Sequence, residues 1–204
     1  MDKRHLYICG DSFSECAFLD NHYDCWVYHV AQKLDNKIIN DSLGGGSNYR
    51  TVRKTLQTTL NMYDTIHTAI VVWSDPTRYE VPGDVEQKGY DRCYHNTSEM
   101  CRLYYNWLDQ IQLIEKYFRL IGIEYYFVNA FTSLDENITD NNVWQQILKN
   151  KINTLDIKHW LLPYNTSMHS WGLNNGGLLA DGHLNIEANR NFAEYALEVI
   201  HSRR

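Results

Sequence analysis

The sequence lacks the features that would place the protein in a membrane or on nucleic acid. No apolar run is long enough to span a bilayer, and no signal-peptide pattern follows Met1. Nineteen Lys and Arg against 25 Asp and Glu give a formal net charge of −6, and basic residues cluster only at the two ends. A nucleic-acid groove is therefore excluded as the main surface, and we expect a cytoplasmic protein that binds neither nucleic acid nor membranes.

Cysteines are few and irregularly spaced, which argues against a disulfide framework. The five cysteines form an odd set without a Cys-x-x-Cys pair, so we expect reduced, mostly buried thiols. Cys93, His95 and Cys101 have zinc-binding residue types, but a fourth ligand and the usual spacing are missing. We therefore expect no metal site.

The chain instead alternates apolar runs with amphipathic segments at helical spacing. Without internal repeats or a linker, this alternation predicts one domain over residues 1–204, a doubly wound α/β sandwich with a mostly parallel sheet. The predicted strands are Leu6–Cys9, Lys37–Asn40, Thr68–Trp73, Ile123–Val128 and, as a fifth strand or a cap on the core, His159–Leu162; the predicted helices are Trp26–Leu34, Tyr49–Tyr63, Thr97–Leu120, Asn142–Leu155 and Ile186–Ile200.

Three finer predictions concern the segments between these elements and one helix face. Residues 81–96 and 163–179 are predicted as long loops, the first as part of a substrate wall. The basic residues of the second helix are expected in solvent. Its buried side is predicted to carry Tyr49, Val52, Leu56, Leu60 and Tyr63.

The most informative stretch is the first strand, which stops abruptly at Gly10-Asp11-Ser12. A strand that ends on a small polar turn leaves a hydroxyl at the carboxyl edge of a sheet, where open α/β sheets bind ligands. Ser12 is therefore a candidate nucleophile. The alternative is an ordinary turn in which Asp11 or Ser12 caps the next helix.

Further polar segments fall at the same predicted edge. Gly44–Asn48 follow the second strand, Ser74–Arg78 follow the third, and Asp181 and His183 precede the last helix. This arrangement makes His183 the candidate base, although a lone histidine there is also a common helix cap. A phosphate loop is not indicated, because the Lys and glycine spacing of a Walker motif are absent.

Together these blocks resemble the SGNH, or GDSL-like, hydrolase superfamily over nearly the whole chain. Gly10-Asp11-Ser12, Gly44–Asn48 and Asp181-Gly182-His183 correspond to its first, second and last motifs. The resemblance implies a flavodoxin-like three-layer α/β/α sandwich with a five-stranded sheet. It also implies esterase chemistry on acyl groups, often acetyl groups of carbohydrates, without metal or organic cofactor. The compact form resembles versions from bacteriophage genomes, which implies a host-cytoplasm or virion location.

Two departures from the family pattern bear on the site. Ser74 stands where the family has an oxyanion-binding Asn, so Asn48 is a candidate substitute. The last motif reads Asp-x-His rather than Asp-x-x-His, with Ala180 at the expected Asp position. Either Asp181 orients His183 from a tighter turn, or the enzyme works as a Ser12-His183 dyad.

The candidate site follows from these motifs. Ser12, His183 and Asp181 are the catalytic candidates; Ser12, Gly45, Gly46, Asn48 and Ser74 are the oxyanion-hole candidates; and Asp11, Trp73 and Arg78 are the substrate-binding candidates. For Asp11 the alternative is a structural role in the turn, and for Arg78 it is an ion pair with Asp75 or Glu80.

Three functions fit the sequence. The first is a serine esterase that removes an acyl group, with O-acetyl favoured, from a small molecule or carbohydrate. The second is a catalytically silent binding or virion module of the same fold. The third, a nucleotide or phosphate binder, is disfavoured by the missing Lys. The 15 Tyr and six Trp residues suit sugar stacking, although most such rings belong to cores.

Overall fold

The computed structural model describes residues 5–80, 89–90, 97–133 and 142–203 of the chain. The strands are β1 (His5–Cys9), β2 (Lys37–Asn40), β3 (Ile66–Trp73), β4 (Tyr79–Glu80), β5 (Gly89–Tyr90) and β6 (Glu124–Asn129). The helices are α1 (Ser12–Glu15), α2 (Trp26–Lys33), α3 (Asn48–Met62), α4 (Thr97–Ile121), α5 (Asn142–Ile152), α6 (Met168–Asn174) and α7 (Ile186–Ser202), with short 3₁₀ helices at His22–Asp24 and Ile157–His159.

The main sheet is parallel, with strand order β2-β1-β3-β6. The central β1 and β3 are almost wholly buried, as the continuous apolar runs of the sequence predict. The chain goes from β1 outward to β2 and then returns to β3 on the other side of β1. The winding therefore reverses beside the carboxyl ends of β1 and β3, which is where α/β sheets form a ligand crevice.

Helices cover both faces of this sheet. Leu6 and Ile8 of β1 pack into a core with α2 and α7, whereas Tyr7 and Cys9 point into a second core with α4 and α5. This alternation divides one buried strand between two apolar layers. The predicted three-layer α/β/α sandwich is confirmed, and no described helix is long and apolar enough to cross a membrane.

The predicted fifth strand is reduced to single bridges. Trp160 forms an isolated parallel bridge with Phe127, and Ser167 forms another with Asn129. Pro163 lies between them and has no N–H to donate, which interrupts the ladder. Within the described residues the parallel sheet therefore has four strands rather than five.

Helix α3 buries only part of the predicted side, since Val52 and Leu56 pack against the core as expected. Tyr49, Leu60 and Tyr63 are exposed, while a row of threonines and Arg50 are buried. Arg50 donates from Nη1 to the Asp41 carbonyl oxygen at 2.8 Å. Threonine fits this close helix–sheet contact because its hydroxyl can bond back into the helix, so residue polarity was a poor guide to the buried side. The buried threonines are Thr51, Thr55 and Thr59.

The long loops are also partly corrected. Residues 163–179 contain helix α6, which Ser167 and Ser170 cap reciprocally, so a Ser-x-x-Ser box was the missed signal. Of the predicted substrate wall at 81–96, only Gly89–Tyr90 is described, and it pairs with β4. The rest of that prediction lies outside the described residues.

The expectation of reduced thiols is wrong for one pair. Cys16 and Cys25 form a disulfide, with their Cα atoms 5.8 Å apart. They are nine positions apart in the sequence, and the intervening turn brings them together. Cys9 and Cys101 are buried. Cys93 and His95 of the rejected zinc group lie outside the described residues.

Gly10 permits the closest approach between β1 and β3, because a Cβ atom built on it lies 2.5 Å from Val72 Cβ and 2.7 Å from the Val72 carbonyl oxygen. We expect Gly10→Ala to lower the free energy of unfolding by about 1–3 kcal/mol, measured by urea denaturation. Gly122→Ala is the control, since it has open space around it and meets only the strain of φ +69°, about 1 kcal/mol. Equal losses in the two variants would contradict the packing argument.

Candidate active site

The centre of the site is a hydrogen bond between residues from opposite ends of the chain. Ser12 Oγ lies 2.7 Å from His183 Nε2. Ser12 opens α1 directly after β1, and Asp11 caps that helix by accepting from the Phe13 N–H at 3.1 Å. The cap fixes the turn, so the Ser12 hydroxyl stands at the carboxyl edge of the sheet, as its sequence position predicts.

A tight turn before α7 presents His183. Leu178 and Leu184 form an antiparallel bridge, and the Leu179 N–H donates to the His183 carbonyl oxygen at 2.7 Å. Gly182 completes the turn with φ +88°, a conformation that favours glycine. The His183 backbone is therefore fixed by the turn that precedes it and by the hydrogen bond to its own carbonyl oxygen.

Three aromatic rings hold the imidazole in place. Phe18 stacks on it with ring centroids 3.9 Å apart, Phe13 lies at 5.0 Å, and Phe131 is edge-on at 6.2 Å. These contacts leave one orientation in which Nε2 faces Ser12. When Nδ1 carries the proton, Nε2 is free to accept the serine proton, which is the tautomer a general base requires.

The Asp181 carboxylate is close to His183, but its hydrogen bond is to the backbone N–H of His183 rather than to the imidazole ring. Asp181 Oδ1 accepts from the His183 N–H at 3.1 Å and lies 3.2 Å from His183 Nδ1. That second distance is an ion-pair distance, yet Nδ1 makes no hydrogen bond of acceptable geometry. The His183 backbone N–H is the main cause that lowers the pKa of the Asp181 carboxyl. Since the Asp181 side chain is 42 % exposed, solvent screens its charge.

A buried ion pair lies beneath the nucleophile. Asp11 is fully buried, and its Oδ2 is 3.6 Å from Arg78 Nη1, which also donates to Ser74 Oγ at 2.9 Å. Burial raises the pKa of the Asp11 carboxyl, while Arg78 and the Phe13 N–H oppose that shift. The Arg78 guanidinium also lies over the Phe131 ring, 5.0 Å from its centroid. The predicted ion pair of Arg78 with Asp75 or Glu80 is thus replaced by one with Asp11.

The buried position of Asp11 decides between its two predicted roles. Its carboxylate is engaged with the turn and with Arg78, so the structural role is correct and direct substrate binding is not. Trp73, the other substrate-binding candidate of β3, is also fully buried and packs edge-on against Phe127. As the last residue of the strand it alternates into the core, so the substrate-binding prediction for Trp73 is wrong.

Among the oxyanion candidates, two backbone groups are available. The N–H groups of Ser12 and Gly45 have no acceptor among the described residues. The Gly46 N–H donates to the Leu43 carbonyl oxygen. Asn48 is also engaged: its Oδ1 accepts from the Ser74 N–H at 2.8 Å and its Nδ2 donates to the Ser74 carbonyl oxygen at 2.9 Å. Asn48 therefore pins the end of β3 to the start of α3.

The pocket beside Ser12 is small and largely apolar. It encloses about 230 Å³, including the solvent at its mouth. Asn189 forms part of its floor and joins the two halves of the site, since its Nδ2 donates to the Leu184 carbonyl oxygen and its Oδ1 accepts from the Trp26 N–H. The apolar lining consists of Phe13, Cys16, Phe18, Leu19 and Leu184.

Sequence reasoning missed Glu15, Phe18 and Asn189. Glu15 accepts the Gly44 N–H on Oε2 at 2.6 Å and thereby ties the glycine turn to α1. A glutamate one turn after the candidate nucleophile was a usable signal for this contact, because both would lie on one side of a helix. Phe18 and Asn189 act through long-range contacts that no local pattern reveals.

Comparison with solved structures gives the class of fold: that of the lipolytic G-D-S-L, or SGNH, hydrolases. No family model matches the sequence, and no curated protein matches it. The chain is similar to the esterase EstA from Pseudoalteromonas sp., solved with monoethylphosphonate as inhibitor, with 14 % identity and a TM-score of 0.57 over 98 % of each chain.

Two further structures illustrate the same likeness. A lipolytic protein of the G-D-S-L family from Desulfitobacterium hafniense DCB-2 has 14 % identity and a TM-score of 0.55, over 96 % of this chain and 98 % of that one. The acetylxylan esterase Axe2 from Geobacillus stearothermophilus has 12 % identity and a TM-score of 0.52, over 98 % and 94 %. At such identities the likeness establishes the fold, so the chemistry rests on the site.

Glu15 gives a direct test of how the glycine turn is held. We expect Glu15→Ala to speed hydrogen exchange of the Gly44 amide by about tenfold, the equivalent of a lost hydrogen bond to a charged group. Glu15→Gln keeps an acceptor oxygen and is expected to show a smaller change. Exchange is measured by NMR on the folded protein. An unchanged exchange rate of the Gly44 amide in Glu15→Ala would show that the glycine turn is stable without Glu15.

Proposed function

We propose that the protein is a serine esterase that removes a short acyl group, acetyl above all, from a carbohydrate hydroxyl. The observation that carries the proposal is the 2.7 Å hydrogen bond between Ser12 Oγ and His183 Nε2, with two free backbone N–H groups beside it. A nucleophile, its base and donors for a developing oxyanion are the parts that acyl transfer needs.

In the proposed reaction, Ser12 Oγ attacks the ester carbonyl carbon while His183 Nε2 takes the hydroxyl proton. The N–H groups of Ser12 and Gly45 donate to the oxygen of the tetrahedral intermediate, each such donor being worth roughly 3 kcal/mol. Collapse expels the alcohol, which receives the proton from His183. A water molecule, deprotonated by His183, then attacks the acyl-enzyme and releases the acid with Ser12 regenerated.

His183 works here chiefly as a dyad with Ser12. The aromatic cage orients its ring, and the exposed Asp181 adds a screened charge near the imidazolium. Ser74 and Asn48 support the hole indirectly, because Asn48 fixes the end of β3 and Arg78 engages the Ser74 hydroxyl. Arg78 remains a candidate contact for substrate.

Two observations support a short acyl group. The pocket at Ser12 is small and largely apolar, about 230 Å³ including the solvent at its mouth, which favours a small acyl group. Structural neighbours include an acetylxylan esterase and an esterase inhibited by a phosphonate, a class of compound that mimics the tetrahedral state. An acetyl ester on a sugar fits both the size and the apolar lining.

Covalent labelling tests the nucleophile. We expect a fluorophosphonate probe to add one label per chain at Ser12, seen by mass spectrometry, and Ser12→Ala to abolish it because the probe needs an activated hydroxyl. Ser14→Ala is the matched control: its hydroxyl contacts the Asp11 carbonyl oxygen and Ser42 rather than the imidazole, so labelling is expected to persist. Equal labelling of wild type and Ser12→Ala would remove the esterase proposal.

A second experiment separates the dyad from a triad. We expect His183→Ala to lower kcat/KM for p-nitrophenyl acetate by about 10³-fold or more, since the base is lost. Asp181→Asn is expected to cost about tenfold or less, because the carboxylate is exposed and aligned with backbone. A loss of about 10⁴-fold in Asp181→Asn, the effect of removing a true orienting carboxylate, would contradict the dyad.

A further inference from the structure

A second, larger pocket lies on the flank of the molecule between α2 and the edge strand β2. It has a cavity volume of about 570 Å³. Ligand sites in proteins commonly have this size. The lining residues are Tyr23, Tyr28, Ala31, Gln32, Asn36, Lys37 and Ile38.

An exposed aromatic platform forms one side of this flank pocket. The Tyr23 side chain is 63 % exposed, so much of its ring is accessible from solvent. It is held in orientation by His22, with ring centroids 4.1 Å apart, and by Tyr28 edge-on at 5.6 Å. His22 and Tyr28 also contact each other at 5.0 Å. The platform is therefore a braced cluster of three rings with one face left open.

The other polar side chains of the lining have hydrogen-bonding groups that are not paired within the described residues. The side chains of Gln32, Asn36 and Lys37 make no hydrogen bond to another described residue, and neither do the hydroxyls of Tyr23 and Tyr28. Two amides, two phenols and an ammonium supply both donors and acceptors, which a purely apolar ligand would leave unsatisfied. A polyanion is disfavoured because Lys37 is the single charged side chain of the lining.

An open ring face beside amides and hydroxyls is the chemistry that recognises sugars. Aromatic faces stack on the C–H surface of a pyranose, while amides and phenols pair with its ring hydroxyls. We propose that the flank pocket is an oligosaccharide-binding subsite, which holds the polymer whose ester Ser12 cleaves. This inference rests on the proposed function for its link to catalysis, but not for the binding itself.

One segment connects the two pockets. Residues 16–25 run from the floor of the Ser12 pocket to the platform, carrying Phe18 against His183 and Tyr23 into the flank pocket. The disulfide between Cys16 and Cys25 closes this segment into a short loop. A saccharide bound at Tyr23 would therefore rest on the same loop that packs on the base.

The test titrates the full-length protein with xylohexaose, cellohexaose and chitohexaose and follows backbone amide shifts by NMR. We expect at least one hexasaccharide to shift the amides of residues 23–38, and Tyr23→Ala to weaken that binding by about tenfold or more. Tyr23→Phe keeps the ring and is expected to retain most of the affinity. Tyr63→Ala is the matched control, because Tyr63 is a similarly exposed tyrosine on α3 that lies outside the pocket lining.

Hydrolysis of p-nitrophenyl acetate separates this inference from the proposed function. Tyr23→Ala is expected to hydrolyse the small ester at the wild-type rate, because that substrate has no sugar to occupy the flank pocket. Sugar binding at residues 23–38 in a protein that neither labels at Ser12 nor cleaves the ester would uphold the subsite and overturn only the esterase. Absence of shifts with all three sugars, or equal weakening by Tyr23→Ala and Tyr63→Ala, would overturn the subsite.

Discussion

The close contact of β1 with β3 at Gly10 is the constraint on which the site depends. The backbone of Gly10 lies against Val72 without room for a side chain, and the chain turns immediately afterwards into the Asp11 cap and α1. A wider spacing between these strands would move the Ser12 hydroxyl out of reach of His183. The hydroxyl is thus placed by main-chain packing of two rigid strands, which is a more precise support than a loop.

The polar side chains beneath the site mainly contact other parts of the protein, so they stabilise its backbone rather than bind substrate. Asp11 caps α1 and pairs with Arg78, Asn48 clasps the main chain of Ser74, and Glu15 takes the Gly44 N–H. Each contact joins two elements that meet at the carboxyl edge of the sheet. A buried carboxylate such as Asp11 is tolerable only because Arg78 and the Phe13 N–H offset its desolvation.

Elements with a strong local signal were predictable from the sequence. The apolar runs of β1 and β3, the amphipathic pattern of α4 and the Gly-Asp-Ser turn each reflect a regular period or a residue with one conformational use. The mostly parallel sheet and the edge containing Ser12 and His183 followed from them, whereas the strand order β2-β1-β3-β6 was not predicted. The sequence was a poor guide to burial where polar residues are buried and apolar residues are exposed, as on α3. Thr51, Thr55 and Thr59 are buried while Leu60 is exposed, because close packing on a sheet favours small residues. The Thr51 and Thr59 hydroxyls donate to carbonyl oxygens one turn earlier.

The details of the site were harder to predict because they depend on residues distant in sequence. Pro163 splits the fifth strand into two bridges, and the direction of the Asp181 carboxylate depends on the turn around Gly182. The motif spacing left dyad and triad open, because it does not show how the Asp181 carboxylate faces the His183 ring. Asn189 and Phe18, which complete the pocket, carry no motif at all.

Ser12 and His183 are 171 positions apart in the sequence, and this separation has a consequence for the folding of the chain. The serine and its strand leave the ribosome first, whereas the histidine arrives with the turn that precedes the 17-residue helix α7. Asn189 of that helix also supplies the acceptor for the first N–H of α2. Until α7 docks, the Ser12 hydroxyl therefore lacks its imidazole partner and the first N–H of α2 lacks its acceptor, so both contacts depend on long-range pairing rather than on local structure.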